Sequence, residues 1–394
     1  MAKAQQKKKV MKKSKTQKAN TAPHSSMNEM MSAIGNEWAG TADKVLSTDS
    51  TFGVNTGSYT VNSLFSGSLF EGIASGKIYG IAGESQSGKS YLIQAIFGQF
   101  LRENPKGRVV LFDSEAAYTS ASIKAWAGEH AKRVAVLPVA TWEEFRGQSI
   151  KCLDWFIKQG KNAPPCIMAL DSMGMLTSST ELANSVKEID KMNTNMGVLA
   201  KLAKGTFRQL TLKCAIAQIP MLVTCHTTPN LAGPGADAIS GGRGLLYASD
   251  HILCLSASQE KSTDGERIGV WVKARCYKSR KIKAGKLNSI LINFTTGLDT
   301  VSGLDDLAIE AGVFKKVGSK VRLPDGNEKF ASKLLISDYS QDTLNAIDAW
   351  TKENYRFGVG AGIAQKDFEV NPETGELLDE DEETESFEDA INNS

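Results

Sequence analysis

The sequence has few of the residues and patterns that build metal sites, disulfide frameworks or membrane spans. Its six cysteines include no Cys-x-x-Cys pair, and its four histidines are scattered. We therefore expect neither a zinc site nor a disulfide framework, and this cysteine usage is typical of a reducing cytosol. The most apolar window, from Cys214 to Cys225, is too short for a membrane span and is interrupted by Gln218 and Pro220. No apolar segment follows the N-terminal lysines, so we expect no secretory signal.

Charge is separated along the chain, although the net charge is only +2. Residues 1–18 carry eight lysines and no acid, whereas residues 366–394 carry twelve acids and one lysine. Such ends are typical of solvated, disordered tails. A lysine-rich arm can also hold an anionic polymer, and an acidic tail can occupy a basic groove in its place. The apolar fraction of 41% predicts a globular body of one large domain with appendages or of two domains.

Apolar runs alternate with helical patterns over most of this body. The predicted helices are a short amphipathic one over Ser25–Ile34, then Ser90–Arg102, Trp142–Lys158 and Gly197–Gln218. The predicted strands are Lys77–Ala82, Arg108–Asp113, Arg133–Val139, Cys166–Asp171, Met221–His226, His251–Ser256, Gly269–Tyr277 and Ser289–Phe294. A Gly/Ser/Thr-rich connector is expected after the first helix, up to about Ser68. The alternation predicts an α/β fold with a mainly parallel twisted sheet flanked by helices, whose last strands are antiparallel because turns join them.

Residues 80–91, GIAGESQSGKSY, contain the complete P-loop pattern Gly-x-x-x-x-Gly-Lys-Ser between a predicted strand and a predicted helix. Glycines let backbone N–H groups converge on phosphate oxygens, and the helix N-terminus adds positive potential. Lys89 is expected to reach the β- and γ-phosphates, and Ser90 to ligate Mg²⁺. A full match in this context disfavours a Gly/Ser turn without function. The predicted nucleotide-binding residues here are Gly83, Glu84, Ser85, Gln86, Ser87, Gly88, Lys89, Ser90 and Tyr91.

Two other predicted strands end in carboxylates. Asp171 ends one of them, where a second magnesium-positioning carboxylate is expected, although Asp at a strand end is also a common turn signal. Asp113 ends the other and is followed by Glu115, and the two lie on one side if the extended conformation continues. One of these carboxylates could deprotonate water for in-line attack on a γ-phosphate, whereas a polar loop is the alternative.

In order and spacing, these segments resemble the RecA-type recombinases, most closely their phage UvsX-type branch, from about Thr60 to Lys315. The matching segments are GESQSGKS (83–90), LFDSE (111–115), LPVATWEEF (137–145), ALDS (169–172), VTCHTT (223–228), SGGRGLLYASDHILCL (240–255), YKSR (277–280) and GLDDLAIEAGVF (303–314). The Asp-Ser-Glu strand end together with S-G-G…Y-A-S-D is much more selective than a P-loop alone. The resemblance implies a RecA-like P-loop NTPase core, ATP and Mg²⁺ as cofactors, and DNA-dependent ATPase activity.

The resemblance also implies roles for individual residues. Glu115 matches the catalytic glutamate and Asp171 the Walker B aspartate. His226 lies where RecA proteins have a γ-phosphate-sensing glutamine, although a lone histidine is more often structural. Lys278 and Arg280 match the pair that reaches the neighbouring subunit's ATP, and a solvated basic strand is the alternative. The predicted catalytic residues are thus Glu115, Lys89, His226, Lys278 and Arg280, and the predicted magnesium ligands are Ser90 and Asp171.

Two segments resemble DNA-binding loops, one from Ser172 to about Asn195 and one between His226 and Arg243. Glycines allow such a loop to lie close to a phosphate backbone, and an ordinary Gly-rich surface loop is the alternative. A histidine that couples the γ-phosphate to the second loop would make DNA affinity depend on the nucleotide. The predicted DNA contacts are Thr228, Asn230, Gly233, Gly235, Gly241, Gly242 and Arg243. The adenine-stacking tyrosine of RecA-type chains is replaced by Ser122, with Tyr118 and Trp126 nearby, so the adenine contact stays open.

The expected organisation has five parts. They are a basic disordered arm (1–24), a polymerisation helix and connector (25–67), a RecA-like ATPase core with DNA-binding loops (68–300), a small C-terminal region (301–365) and an acidic disordered tail (366–394). The apolar face of the first helix has no obvious partner in its own chain, so we expect it to dock on the next protomer.

The expected function is ATP-dependent DNA strand exchange by helical filaments on single-stranded DNA, in homologous recombination, recombination-dependent replication and DNA repair. Expected partners are single-stranded and homologous double-stranded DNA, further copies of the chain, and single-strand-binding and loader proteins, with no membrane. The expected location is the cytoplasm, that of the host for a phage protein. The alternatives are a RecA-fold ring helicase, which the small and polar residues 1–60 disfavour, and an ATP-bound DNA-binding mediator with little hydrolysis, which Glu115 disfavours.

Deletion of residues 366–394 is expected to raise affinity for duplex DNA several-fold at low salt, because the acidic tail competes for the basic groove. Duplex binding measured across a salt titration checks this expectation. A full-length variant with the twelve acids changed to their amides is the matched control and should behave like the deletion. Salt titrations that superimpose on the wild type would exclude competition by the tail.

Overall fold

The computed structural model describes residues 27–40, 46, 48–187, 196–228, 238–239, 243–261 and 267–357. The chain divides into two compact units, residues 1–47 and residues 48–394. The basic arm predicted at 1–24 and the acidic tail predicted at 366–394 lie outside the described residues.

The helices that the structure describes follow the predicted pattern and add several shorter ones. In chain order they are α1 (Met27–Ile34), α2 (Tyr59–Ser66), α3 (Lys89–Glu103), α4 (Ser120–Ala127), α5 (Trp142–Gln159), α6 (Ser179–Lys187), α7 (Met196–Ala217), α8 (Arg243–Ala248), α9 (Leu304–Glu310) and α10 (Gln341–Tyr355). In α1, Met27, Met30 and Ile34 are exposed, so this helix presents an apolar face. None of the described helices combines the length and the apolar character needed to cross a membrane.

The described strands form a large sheet and two small ones. In chain order they are β1 (Gly53–Val54), β2 (Ile73–Ala74), β3 (Ile78–Gly83), β4 (Arg108–Asp113), β5 (Val134–Pro138), β6 (Cys166–Asp171), β7 (Met221–Thr228), β8 (Ala238–Ile239), β9 (His251–Lys261), β10 (Arg267–Ser279), β11 (Leu287–Asn293), β12 (Gly297–Leu298), β13 (Lys315–Val317), β14 (Lys320–Arg322) and β15 (Glu328–Phe330).

The large sheet has the strand order β12-β11-β10-β9-β3-β7-β6-β4-β5, and β8 pairs with β7. The strands from β9 to β5 pair in parallel, whereas β10, β11 and β12 pair with their neighbours in antiparallel fashion. The predicted α/β fold, with a mainly parallel sheet whose last strands are antiparallel, is therefore confirmed. Parallel pairing brings the carboxyl ends of these strands to one edge, which we call the carboxyl edge.

Apolar layers cover both faces of the sheet. Alternate residues of β4 point to opposite layers: Val109 and Leu111 pack on one side, Val110 and Phe112 on the other. The first layer includes buried residues of α2, α3, α9 and α10, and the second includes those of α5, α7 and α8. Near-continuous apolar strands are expected of a parallel sheet that is buried on both faces.

The caps of α5 show how local sequence sets an element's bounds. The Thr141 hydroxyl accepts the backbone N–H of Glu144 at 3.2 Å, and the Glu144 carboxylate accepts that of Thr141 at 3.1 Å. This reciprocal capping box is the one predicted from the sequence. The helix ends at Gln159 and is followed by Gly160, whose positive φ of 54° is one that glycine tolerates.

The connector expected up to about Ser68 is wrong over residues 59–66, which form the buried helix α2. The glycine, serine and threonine content of this segment suggested a connector. In the structure its polar groups are satisfied internally: the Asn62 side chain accepts the N–H of Thr56 and donates to the carbonyl of Leu69. Because buried polar groups are tolerated when hydrogen-bonded, α2 joins the core. The compact unit that holds the sheet accordingly begins at Thr48.

The C-terminal elements are tied to α2. The Asp348 carboxylate of α10 accepts the hydroxyl of Ser68 and the N–H of Leu69. Arg356 donates to the carbonyl of Ser66 and pairs with Glu71 at 2.8 Å. Burial alone would raise the pKa of Glu71, but Arg356 and the nearby Lys281 lower it to about 2.

His251, the first residue of β9, is a buried ionisable group without a hydrogen-bond partner among the described residues. Both ring nitrogens lack a partner, and the ring packs against Phe65 with centroids 5.1 Å apart. Burial lowers the pKa of His251 from 6.5 to about 3, because the charged form cannot be solvated there. The folded chain therefore holds this imidazole neutral at physiological pH.

Replacement His251→Leu is expected to reduce the acid sensitivity of the fold. The unfolded chain binds the proton more tightly than the folded chain between the folded pKa and pH 6.5. Stability is therefore lost as the pH falls below 6.5, by about 1.4 kcal/mol per pH unit from this one group. Urea unfolding of both proteins from pH 8 to pH 5 should show curves that diverge only below 6.5. A constant difference across that range would contradict this account.

Candidate nucleotide site at the carboxyl edge of the sheet

The P-loop lies between β3 and α3, in the strand–loop–helix context that the sequence predicted. A Cβ atom at Gly83 would lie 2.4 Å from the Ser87 hydroxyl oxygen and 2.5 Å from the Leu255 carbonyl oxygen, so the loop requires glycine here. Gly88, at the N-cap of α3, has a φ of 93°. The N-terminal N–H groups of α3 thus open toward the end of β3, as an anion site requires.

Lys89 is buried and folds back over the loop. Its ammonium donates to the carbonyls of Gly83 at 3.0 Å and Glu84 at 2.6 Å. Burial lowers its pKa, an effect that the nearby carboxylates of Asp171 and Glu115 oppose. The ammonium is therefore held between the loop and these two acids.

A cleft of about 320 Å³ lies over this loop. It is lined by Ser85, Gln86, Ser87, Gly88, Lys89, Ser90, Tyr91, Glu115, Asp171, His226, Val270 and Phe294. The structure thus brings most of the predicted nucleotide residues together with Asp171, which ends β6, with Glu115, which follows β4, and with the predicted sensor histidine. Gly83 and Glu84 are not part of this lining and contribute carbonyls to Lys89 instead. Ser87 lines the cleft, and its buried hydroxyl has no hydrogen-bond partner among the described residues.

Asp171 is held by hydroxyls from two neighbouring elements. Its Oδ2 accepts the Tyr118 hydroxyl at 2.6 Å, and its Oδ1 accepts the Thr224 hydroxyl. Burial, followed by the charge of Asp171, raises the pKa of Tyr118, so the phenol remains a donor. Neither contact is evident from the sequence, where Tyr118 stood out only near the expected adenine position and Thr224 lies in an apolar strand.

Glu115 and His226 face each other across the cleft. The Oε1 atom of Glu115 is 3.9 Å from Nε2 of His226 and accepts the hydroxyl of Ser172 at 2.6 Å. Ser172 follows β6, and its backbone is tied to the Ser114 hydroxyl. Glu115 therefore lies beside the histidine and is hydrogen-bonded to the start of the segment after β6.

Asp113 and Glu115 do not share a side of an extended strand, which corrects the expectation from the sequence. The strand ends at Asp113, which is buried and accepts the N–H groups of Glu115, Ala117 and Tyr118 at 3.1–3.3 Å. Ala116 has a φ of 52°, so the chain turns sharply there. Asp113 thus organises the turn, and only Glu115 reaches the cleft.

The donors in the cleft fit a magnesium ion bound with phosphates. Ser90 and Asp171 would offer hard oxygen ligands, which Mg²⁺ prefers, and this ion usually takes few protein ligands and completes its shell with phosphates and water. Among the described residues, no three His, Cys, Asp or Glu side chains form a separate metal cluster.

A second cleft of about 370 Å³ adjoins the first and shares Tyr91 and Phe294 with it. The two rings are 5.8 Å apart with an interplanar angle of 32°. Of the residues near the expected adenine position, Trp126 lines this second cleft, Ser122 caps α4, and Tyr118 binds Asp171 instead. Phe294, which directly follows β11, is a further aromatic that the sequence analysis did not select.

Lys278 and Arg280 lie away from this cleft. In the sheet, Lys278 of β10 lies opposite Ile252 of β9, and Ile252 lies opposite Gly80 of β3. Gly83, where the P-loop begins, lies opposite Leu255 and is therefore three residues further along β3 than Gly80. Lys278 donates to the carbonyls of Leu246 and Ser249 at the end of α8, and Arg280 donates to that of Tyr247. Burial, followed by the charge of Arg280, lowers the pKa of Lys278. Both cations therefore lie toward the amino ends of the parallel strands, which we call the amino edge of the sheet. The P-loop of the same chain lies at the opposite edge.

The predicted DNA-contact residues are described only in part. Thr228 ends β7 and pairs through its backbone with Ala238 of β8, and Arg243 begins α8 with an exposed side chain. The others, Asn230, Gly233, Gly235, Gly241 and Gly242, lie outside the described residues. The structure describes this segment as far as Thr228, at Ala238–Ile239, and again from Arg243, where α8 begins.

Comparisons with known proteins agree with this architecture. No protein-family model matches the chain. The chain is 29% identical over 257 residues to the recombination and repair protein of Enterobacteria phage T4, which covers 65% of this chain and 63% of that protein. It is 25% identical over 272 residues to Protein RecA of Thermus thermophilus, covering 67% and 75% of the two chains. The mitochondrial DNA repair protein recA homolog of Dictyostelium discoideum is 22% identical over 327 residues, covering 81% and 69%.

The fold and the cleft define a P-loop α/β protein with a RecA-like core. These matches confirm the predicted resemblance: the chain is similar to RecA proteins and to the phage recombination and repair protein. The chain spans less than two thirds of the length of that phage protein.

Asp113→Ala is expected to destabilise the fold by about 1–3 kcal/mol, because it leaves the N–H groups of the turn without their acceptor. Glu115→Gln keeps the turn and is the matched control, with unchanged stability. Urea unfolding, together with hydrogen exchange at residues 115, 117 and 118, checks both. Equal stability of Asp113→Ala and the wild type would show that the turn does not depend on this carboxylate.

Proposed function

We propose that the chain is an ATP-dependent DNA strand-exchange recombinase that forms helical filaments on single-stranded DNA. The observation that carries this proposal is the division of the site between the two edges of the sheet. The P-loop, Glu115, Asp171 and His226 meet at the carboxyl edge, whereas Lys278 and Arg280 lie toward the amino edge. A site that contains all of these groups therefore needs two protomers, and repeated pairing of unlike edges builds a polymer.

The triphosphate would lie against the P-loop, with its base in the adjoining cleft. Backbone N–H groups of residues 85–90 and the ammonium of Lys89 would hold the phosphates. Ser90 and Asp171 would hold Mg²⁺, which neutralises charge on the β- and γ-phosphates. Phe294 and Tyr91 stand where the two clefts meet and offer aromatic faces for stacking the base.

Glu115 is the group that would act as general base in ATP hydrolysis. Its side chain is 36% exposed at the cleft, and its carboxylate accepts a hydrogen bond from the Ser172 hydroxyl. A carboxylate held near the γ-phosphate can accept the proton of the attacking water. Lys278 and Arg280 of the next protomer would then stabilise the charge on the transferring phosphoryl group, as an arginine finger does.

Coupling to DNA would run through the residues that touch Glu115. His226 belongs to the strand that leads into the second predicted DNA-binding loop, and Ser172 begins the first. A shift of either loop on DNA binding would move a neighbour of the catalytic carboxylate. ATP would thus stabilise the DNA-gripping filament, and hydrolysis to ADP and phosphate would release it.

The DNA contacts proposed for this function are to the backbone, through Arg243 and the glycine-rich segment before it. Sequence recognition would come from base pairing between the bound strand and a homologous duplex, so affinity should fall steeply with salt. Homologous recombination, recombination-dependent replication and repair in the cytoplasm are the processes that this activity would serve, with single-strand-binding and loader proteins as partners.

The wild-type chain is expected to form helical filaments on single-stranded DNA with Mg²⁺ and a slowly hydrolysed ATP analogue. Lys89→Ala should not form them, because the phosphates lose the cation that holds them. Electron microscopy distinguishes helices from the closed rings of a helicase and from isolated particles. Rings, or isolated particles with both ligands present, would reject the recombinase proposal.

A mixing experiment tests the shared site directly. Lys89→Ala and the double variant Lys278→Ala/Arg280→Ala should each lack DNA-stimulated ATP hydrolysis. In the mixture, some interfaces combine the intact P-loop of one protomer with the intact cations of the other, so part of the turnover should return. Glu115→Gln mixed with the same double variant is the control for the base, since Glu115 lies on the P-loop side and should also be complemented. No recovery in either mixture would contradict a site shared between protomers.

A further inference from the structure

Asp171 is a buried carboxylate at a strand end, and other side chains hold both of its oxygens. The residue is 4% exposed, and each of its oxygens accepts one hydroxyl hydrogen bond. Tyr118 occupies Oδ2 at 2.6 Å, and Thr224 occupies Oδ1. A carboxylate has about four acceptor positions, so one on each oxygen remains for the cleft.

Tyr118 also lies beside the helix that carries the other predicted magnesium ligand. Its hydroxyl has a polar interaction with the side chain of Gln94. Gln94 follows Ser90 by four residues in α3, so both lie on one face of that helix. The phenol is therefore placed between the element that holds Ser90 and the strand that ends in Asp171.

The turn after β4 fixes the position of the tyrosine. Asp113 accepts the N–H of Tyr118 at 3.2 Å and that of Glu115 at 3.1 Å. The ring of Tyr118 packs against the first apolar layer. The described residues that line the nucleotide cleft do not include Tyr118, so the phenol touches Asp171 from behind the cleft.

We propose that Tyr118 is a positioning residue that sets the orientation of the Asp171 carboxylate relative to Ser90, and thereby the affinity of the site for a nucleotide-bound divalent cation. This inference rests on the proposed nucleotide site. Tyr118 acts through Asp171 and not on the phosphates. Without its hydroxyl, Asp171 keeps a hydrogen bond on only one oxygen and can rotate, so ordering it on ion binding costs more.

The test uses Tyr118→Phe in the full chain, with Mn²⁺ as the ion and a non-hydrolysable ATP analogue. Titration of free Mn²⁺ by electron paramagnetic resonance should give a dissociation constant raised by about tenfold or more in the variant. Binding of the analogue without a divalent ion should be unchanged. ATP hydrolysis at saturating Mg²⁺ should keep its maximal rate and need more Mg²⁺ to reach half of it.

Two controls separate positioning from a general loss of stability. Tyr355→Phe makes the same chemical change at a buried phenol that accepts a hydrogen bond from Asn288 at 3.2 Å, away from the cleft, and should leave Mn²⁺ affinity unchanged. In an Asp171→Asn background, Tyr118→Phe should have little further effect on Mn²⁺ affinity, because the residue it acts through is already altered.

The outcomes distinguish this inference from the proposal on which it rests. A Tyr118→Phe protein with wild-type Mn²⁺ affinity, or one whose effect adds fully to that of Asp171→Asn, would overturn the positioning role and leave the nucleotide site intact. A wild-type chain whose nucleotide binding does not respond to divalent ions would overturn the proposed function, and the positioning role with it.

Discussion

Parallel pairing of β4, β6, β7 and β3 is the constraint on which the candidate site depends. Residues far apart in the chain end neighbouring strands at one edge, where Asp113 pairs with Asp171 and Gly83 pairs with His226. Because side chains alternate between the faces of a strand, a slip of one residue would turn each of these groups toward the other face. The apolar layers on both faces oppose such a slip, so the packing of the core determines the geometry of the cleft.

Adjacent strand ends in this sheet carry carboxylates with different tasks. The Asp113 carboxylate accepts backbone N–H groups of a turn, and that turn places Glu115 in the cleft and Tyr118 behind it. Asp171 faces the cleft and is itself held by hydroxyls. Asp113 and Asp171 therefore lie opposite each other on adjacent strands but differ in their contacts. Asp113 supports the turn, whereas Asp171 faces the cleft, where an ion could bind.

The antiparallel end of the sheet adds a second functional edge. Because β10 runs against β9, its last residues return toward the amino edge, where the carbonyls at the end of α8 hold Lys278 and Arg280. The chain therefore carries its P-loop at one edge of the sheet and these two cations toward the other. This polarity is what a head-to-tail assembly requires, and it gives the nucleotide a place between subunits in the proposed filament.

Local patterns in the sequence were sufficient for the P-loop, the α5 capping box and the apolar strands, because glycine spacing, capping chemistry and periodicity act over a few residues. They also indicated that Asp171 ends a strand and that Glu115 closely follows another, and the resemblance to the RecA family supplied their expected roles. The sequence alone did not identify α2 as buried, since its polar groups are satisfied by partners such as Leu69 and Thr56 that only folding brings near. It did not separate Asp113 from Glu115, because a sharp turn at Ala116 decides which acid reaches the cleft.

Tertiary structure alone decided that Tyr118 and Thr224 meet at Asp171, because hydrogen bonds between distant segments have no local signal. It also decided that Lys278 lies at the opposite edge of the sheet from the P-loop, because strand direction has no local signal either.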